Sequence, residues 1–191
     1  MGSPKPALVT AILIGNFCTQ HALAVLNAGL EAGVVKRTAA APDNLNLGFA
    51  YGAHAELTFE STFAIGAYYL HSTNALASTP SELDANARFE TLGVRGRLML
   101  PMPGRTKPYF LIGLGHNWVT YRALGSPGVN GQSWEAPIGF GIAHQVMKLF
   151  QLSVEGSYRP SFSFSGDAYT PMGVRHPDGG WAALAGLALD F

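Results

Sequence analysis

Between Leu26 and the final residue Phe191, eight segments alternate an apolar side chain with a small or polar one: 26–37, 45–59, 62–73, 87–100, 109–122, 133–147, 151–164 and 181–191. A period of two is the geometry of a β-strand, whose successive side chains point to opposite faces. The segment 151–164 shows it clearly. Leu152, Val154, Tyr158, Phe162 and Phe164 share one face, and Gln151, Ser153, Glu155, Ser157, Arg159, Ser161 and Ser163 the other. Pro137 and Pro160 fall inside two segments and require bulges or unpaired positions, because proline donates no ladder hydrogen bond.

Alternation alone does not say which face is interior, since a soluble barrel turns its apolar face inward and a membrane barrel turns it outward. The glycines decide. Gly29, Gly33, Gly48, Gly52, Gly66, Gly93, Gly113, Gly115, Gly139, Gly141 and Gly186 lie on the polar parity, and only Gly96 and Gly156 on the apolar one. Glycine weakens a strand wherever a side chain could pack, but inside a closed eight-stranded cylinder small residues are a steric need. The polar face therefore points to the lumen, and Leu, Ile, Phe, Val and Trp form a belt around the outside. An even number of strands closes without a free edge, as hydrocarbon demands. The expected fold is all-β: an eight-stranded antiparallel up-and-down transmembrane β-barrel, with small and ionised groups in its bore.

Composition agrees with a membrane barrel. The 191 residues are 48% hydrophobic and only 13% charged, with Lys+Arg and Asp+Glu equal at 12 each, so no basic stripe exists for nucleic acid. No stretch reaches the 18 apolar residues or more of a helical span. At the start, Lys5, the apolar run 7–18 and the small residues Ala22 and Ala24 have the form of a secretory signal peptide. Residues 1–24 are thus expected to be a leader and 25–191 the barrel domain, which contains no cysteine.

With the N-terminus in the periplasm, the outer connections are 38–44, 74–86, 123–132 and 165–180, and the inner ones 60–61, 101–108 and 148–150. Long outside and short inside is the rule for such barrels. Trp118, Tyr121, Trp134 and Trp181 are expected near the outer rim, and Phe59, Phe63, Phe110, Phe150 and Phe191 near the inner rim, as two interfacial girdles.

On these features, and on the stretches "KPYFLIGLGHNWV", "LSVEGSYRPSF" and "LALDF", residues 25–191 resemble the small eight-stranded outer-membrane barrels of Gram-negative bacteria, of the OmpA/OmpX/OmpW kind. The resemblance implies a monomer in outer-membrane lipid and lipopolysaccharide. It also implies that Leu187, Leu189 and Phe191 form part of the insertion signal read by the barrel-assembly machinery. The chain stops with this strand, so no periplasmic domain is expected after it.

The inward parity collects Glu31, Glu56, Arg95, Arg97, Glu135, Glu155, Arg159 and Asp190. By register, Glu31, Glu56, Arg95, Arg97 and Glu155 lie at similar depth, with Arg159 about one residue pair higher. Charges in a narrow lumen must pair. The favoured reading is a salt-bridge plug, and the second a gated narrow pore in which the arginines exchange partners. His54 is an inward hydrogen-bonding group near Glu56, while His116 and His144 fall on the apolar parity. No metal or cofactor site is expected.

One motif suggests chemistry. His71, Ser72, Thr73 and Asn74 are similar to the His-x-Ser-Asn stretch of outer-membrane lipid A deacylases, with Thr73 in place of the serine and only Glu82 or Asp84 in the adjoining loop to orient the histidine. A lipid A-modifying hydrolase is therefore a minor alternative, and the chain is expected not to be an enzyme. The expected function is a passive envelope component, with a surface adhesin or host-factor binder acting through the outer loops as the alternative.

Overall fold

A computed structural model describes residues 24–39, 46–60, 62–75, 86–122, 128–166 and 177–191. All regular structure there is β: β1 (Ala24–Ala39), β2 (Gly48–Phe59), β3 (Phe63–Ala75), β4 (Asn86–Met99), β5 (Thr106–Arg122), β6 (Val129–Glu135), β7 (Ile138–Met147), β8 (Phe150–Tyr158), β9 (Ser161–Ser165) and β10 (Pro177–Asp190). Every pairing is antiparallel. β1 to β5 are joined in sequence order. The upper part of β5 then pairs with β6 and its lower part with β7, β6 pairs with β9, and β7 with β8. β8 pairs with β10, and β10 returns to β1.

The ten strands are therefore eight staves of one closed barrel, two of them interrupted. The interruptions fall at Pro137 and Pro160, between β6 and β7 and between β8 and β9. The two breaks lie side by side: Ala136 N–H donates to the Pro160 carbonyl at 3.0 Å, and Gly113 N–H to the Pro137 carbonyl at 2.8 Å. Each proline thus keeps its acceptor in the wall while the ladder yields where its donor is missing.

Several boundaries differ from the sequence reading. β1 takes in Ala24, assigned above to the leader, β5 starts at Thr106, β6 at Val129 and β10 at Pro177, so strand extends into the connections drawn as 101–108, 123–132 and 165–180. The expected outer-loop residues 40–44, 76–85, 123–127 and 167–176 lie outside the described residues.

Orientation of the two faces follows the glycine argument. Leu30, Phe140, Ile112 and Val154 are each more than 60% exposed on the outer wall, within an extensive apolar surface that also includes Ile65, Val94, Leu114, Ile138, Ile142 and Leu187. A Cβ added to any of the eleven inward glycines would come within 3.0 Å of a neighbouring atom, whereas at Gly156 it would meet nothing within 4 Å. At Gly33 and Gly66 the atom struck is a backbone carbonyl oxygen of the neighbouring strand, of Ala183 and Ala55; at Gly115 and Gly141 it belongs to the Tyr68 and Tyr109 side chains. Glycine is needed both for the tight curvature of the wall and for room beside the tyrosines.

The bore is not filled by small and charged groups alone. Leu70, Leu111 and Leu184 point inward and are at most 3% exposed, contrary to the expectation that large apolar side chains stay outside. They belong to interior clusters: Val35, Ala50, Tyr68, Leu70, Ala182 and Leu184 in one, and Ala64, Met99, Tyr109, Leu111 and Ala143 in another. A narrow barrel must fill its centre, and apolar side chains do so between charged groups without needing partners.

Two aromatic residues also change sides. Tyr121, expected in the outer girdle, is buried with Ala87, Phe89 and Val119, and Phe164 packs on this cluster from the end of β9. For Phe164 the cause is local: Ser163 has a φ of 55°, a left-handed residue that breaks the alternation and turns the next side chain inward. Tyr121 shares the parity of Tyr109, Leu111 and Val119, all inward, which sequence alternation alone would have shown.

Candidate functional site

The strand register brings the inward charges into two tiers. In the first, Glu56 on β2 receives Arg95 Nε at 2.6 Å and is also paired with Arg97, both from β4. Arg95 Nη1 reaches Glu31 Oε2 on β1 at 3.2 Å, and His54 Nδ1 lies 3.4 Å from the same carboxylate. Asn27 ties the tier to the barrel end, with its Oδ1 3.1 Å from His54 Nε2 and its Nδ2 donating to Asp190 at 2.7 Å. Arg97 lies over the Tyr109 ring at 5.2 Å, and the Tyr109 hydroxyl donates to Glu155 at 3.2 Å.

The second tier is built around Glu135, the last residue of β6. It accepts Arg37 Nη1 at 2.8 Å on one oxygen and Arg159 Nε at 3.0 Å on the other. Arg159 also donates to the Tyr68 hydroxyl at 3.2 Å, and Arg37 stacks 4.7 Å above the Phe89 ring. Glu135 and Arg159 flank the two proline breaks, so the wall's interruptions lie at the level of this tier.

Arg37, Arg95, Arg97 and Arg159 share the bore with Glu31, Glu56, Glu135 and Glu155; all eight residues are buried, and Glu31, Glu56 and Glu135 carry the ion pairs. The tiers are bracketed by the apolar cluster of Phe89, Val119 and Tyr121 at the outer end and that of Met99, Tyr109 and Leu111 toward the inner end. Below the latter opens a cavity of about 550 Å³, bordered by Arg105, Lys107, Lys148 and Asp190. Sequence reading omitted Arg37, although it shares the parity of Glu31 and Gly33; its place near the end of a segment disguised it. Asn27, Tyr68 and Tyr109 were likewise missed, since neutral side chains carry no charge signal.

At the other end of the chain, Leu187 and Phe191 are exposed on the outer wall and Leu189 is half-buried. Phe191 exchanges backbone hydrogen bonds with Leu26, its N–H donating at 2.8 Å and its carbonyl accepting at 3.2 Å. The last residue thus lies in the seam that closes the barrel.

The outer wall near the rim carries a separate group. His71 on β3 is buried although it has the outward parity, because the Tyr51 ring of β2 stacks on it at 4.8 Å. Its Nδ1 lies 3.6 Å from Glu90 Oε1 on β4, and its Nε2 3.3 Å from Thr73 Oγ1. Glu82 and Asp84, the carboxylates considered from the sequence, lie outside the described residues. Glu90 was overlooked because it is 19 positions from His71 in the chain and adjacent only through the β3–β4 register. His116 faces outward between Trp118 and Trp134, and His144 faces outward near the inner end, where its Nδ1 is 2.8 Å from Thr106 Oγ1.

No protein-family model and no curated protein matches the sequence. Solved structures do. Neisserial surface protein A is similar with a TM-score of 0.66 at 14% identity, over 87% of this chain and 97% of that one. The fold is that of the small outer-membrane β-barrels. A major outer membrane protein from Thermus thermophilus gives a TM-score of 0.64 at 12% identity, covering 88% and 99% of the two chains. Ail, the attachment invasion locus protein of Yersinia pestis, solved with the heparin analogue sucrose octasulfate, gives 0.55 at 11%, covering 88% and 97%. For an outer-membrane barrel, the exposed leucines, isoleucines and valines are the lipid contact, a surface that water would not tolerate on a monomer.

Proposed function

We propose that this barrel is a lipid-embedded envelope component with a closed lumen, rather than an open pore. The observation that carries the reading is the set of buried ion pairs joining Arg37, Arg95, Arg97 and Arg159 to Glu31, Glu56 and Glu135 in two tiers between apolar clusters. An ion crossing such a bore would have to separate buried pairs, and leaving one charge without its partner costs about 3–5 kcal/mol. Refolded wild-type protein in a planar bilayer should therefore give no steady conductance. Regular open-channel steps that change when Arg95 or Arg97 is replaced by alanine would favour the gated-pore reading instead.

The same reading includes residues 1–24 as a secretory leader and Leu187, Leu189 and Phe191 as the signal recognised by the barrel-assembly machinery, in a monomer surrounded by outer-membrane lipid and lipopolysaccharide. It is supported by the exposed ring of Phe191 at the closing seam. A second reading, a surface adhesin acting through its outer loops, is favoured by the likeness to the attachment protein Ail. Binding to host cells that disappears when the four outer loops are shortened would support it; binding that persists would remove it.

A further inference from the structure

The inner mouth of the barrel holds cations that the charge tiers do not use. Arg105 immediately precedes β5, Lys107 is its second residue, and Lys148 lies in the turn between β7 and β8. Among the described residues, none of the three forms an ion pair or a side-chain hydrogen bond. Gln145 joins two of them. Its backbone N–H donates to the Arg105 carbonyl at 2.9 Å, and its Nε2 donates to the Lys148 carbonyl at 3.0 Å and to Asp190 Oδ2 at 2.9 Å. One residue thus fixes the backbone of both Arg105 and Lys148, while their side chains stay exposed. Like charges gathered at one place repel, and an anion between them turns that cost into attraction.

Arg105, Gln145 and Lys148 also border two cavities at once. The first, of about 550 Å³, reaches into the bore, where Met99 and Ala143 line it. The second, of about 520 Å³, is lined by Val146 and Met147, both exposed, and Val146 has the outward parity of Ile142 and His144. A groove therefore crosses the rim from the bore to the lipid-facing wall, with the two cations on its crest. We infer that this groove binds the phosphodiester of a glycerophospholipid of the inner leaflet. Arg105 and Lys148 take the phosphate oxygens, the acyl chains lie along Val146 and Met147, and the headgroup turns into the bore toward Lys107 and Asp190.

Charge and polarity select this occupant. The part of the groove on the wall is lined by both cations and, among the described residues, by no carboxylate, which suits an anion. A guanidinium fork matches two phosphate oxygens, and an ammonium adds a point charge beside it. A soluble phosphate ester would gain nothing from Val146 and Met147, whereas a lipid buries hydrocarbon there. The depth also agrees: Phe110 and Phe150, exposed near this rim, mark the boundary between hydrocarbon and headgroups. The inference rests on the reading that the wall faces lipid and this end the periplasm, and it is independent of whether the lumen conducts.

The test titrates the refolded full chain in detergent, its folding verified by heat-modifiable gel migration, with phosphatidylglycerol in one arm and phosphatidylethanolamine in the other. Native mass spectrometry should show one lipid bound saturably in at least one arm, and the tighter arm identifies the headgroup. Replacing both cations, Arg105→Gln with Lys148→Gln, should weaken that binding about 30-fold. The same change at two exposed cations of the outer end, Arg88→Gln with Arg122→Gln, should leave it unaltered. No saturable lipid on folded wild-type protein overturns the inference, as does equal affinity in the folded Arg105→Gln/Lys148→Gln variant or an equal loss in the outer-end variant. A third arm adds glycerol phosphate, which should not displace the lipid; displacement at matching concentration would assign the groove to a soluble anion and overturn the lipid as its occupant.

Discussion

Arg37 and Glu135, 98 residues apart in the chain, meet inside the barrel at 2.8 Å with both side chains at most 1% exposed. Neither could be buried alone. Because Glu135 also holds Arg159, replacing it with alanine strands two guanidinium groups where water does not reach. Glu135→Ala should destabilise the refolded barrel by about 3–5 kcal/mol, read as a lower urea midpoint for the loss of heat-modifiable migration. An unchanged midpoint would mean that the tier contributes no cohesion.

The glycine argument predicts an asymmetry between the faces. Gly66→Val places a side chain against the Ala55 carbonyl and should prevent refolding, whereas Gly156→Val projects into open space on the lipid side and should refold with wild-type yield. Refolding yields of the two variants, measured in the same detergent, check this directly.

The apolar belt predicts a cost that depends on depth. Val154, at the middle of β8 and 65% exposed, faces the hydrocarbon. Val154→Arg should cost about 2–4 kcal/mol of folding free energy in a bilayer. A neutral result in vesicles would argue that this wall does not contact acyl chains.

The proposed insertion signal at the terminal seam predicts that folding and insertion respond differently to one substitution. Phe191→Ser keeps the backbone hydrogen bonds with Leu26 but removes the exposed ring. The variant should refold in detergent nearly as well as wild type yet accumulate less in the outer membrane of expressing cells, as quantified in membrane fractions. Equal accumulation would exclude the ring as an insertion signal.

The alternation of "GWAALAGLALDF" made the strands legible, and the parity of the glycines made the lipid face legible, because both are local consequences of side chains alternating along an extended backbone. Even the two wall breaks were visible at Pro137 and Pro160. One error arose where a residue leaves that regularity. Ser163, at a φ of 55°, sends Phe164 inward, and no period-two pattern contains that information. The filling of the bore by Leu70, Leu111 and Leu184 was hidden for another reason: the belt and the interior draw on the same residue types.

The sequence by itself determined which positions look inward, since parity within a strand needs no knowledge of its neighbours. It did not determine who meets whom. Glu56 bridges Arg95 and Arg97, Glu135 bridges Arg37 and Arg159, and Glu90 stands beside His71 because cross-strand register sets distances between residues remote in the chain. Only the closed tertiary structure decides that register, through the staggered pairing of all eight staves at once.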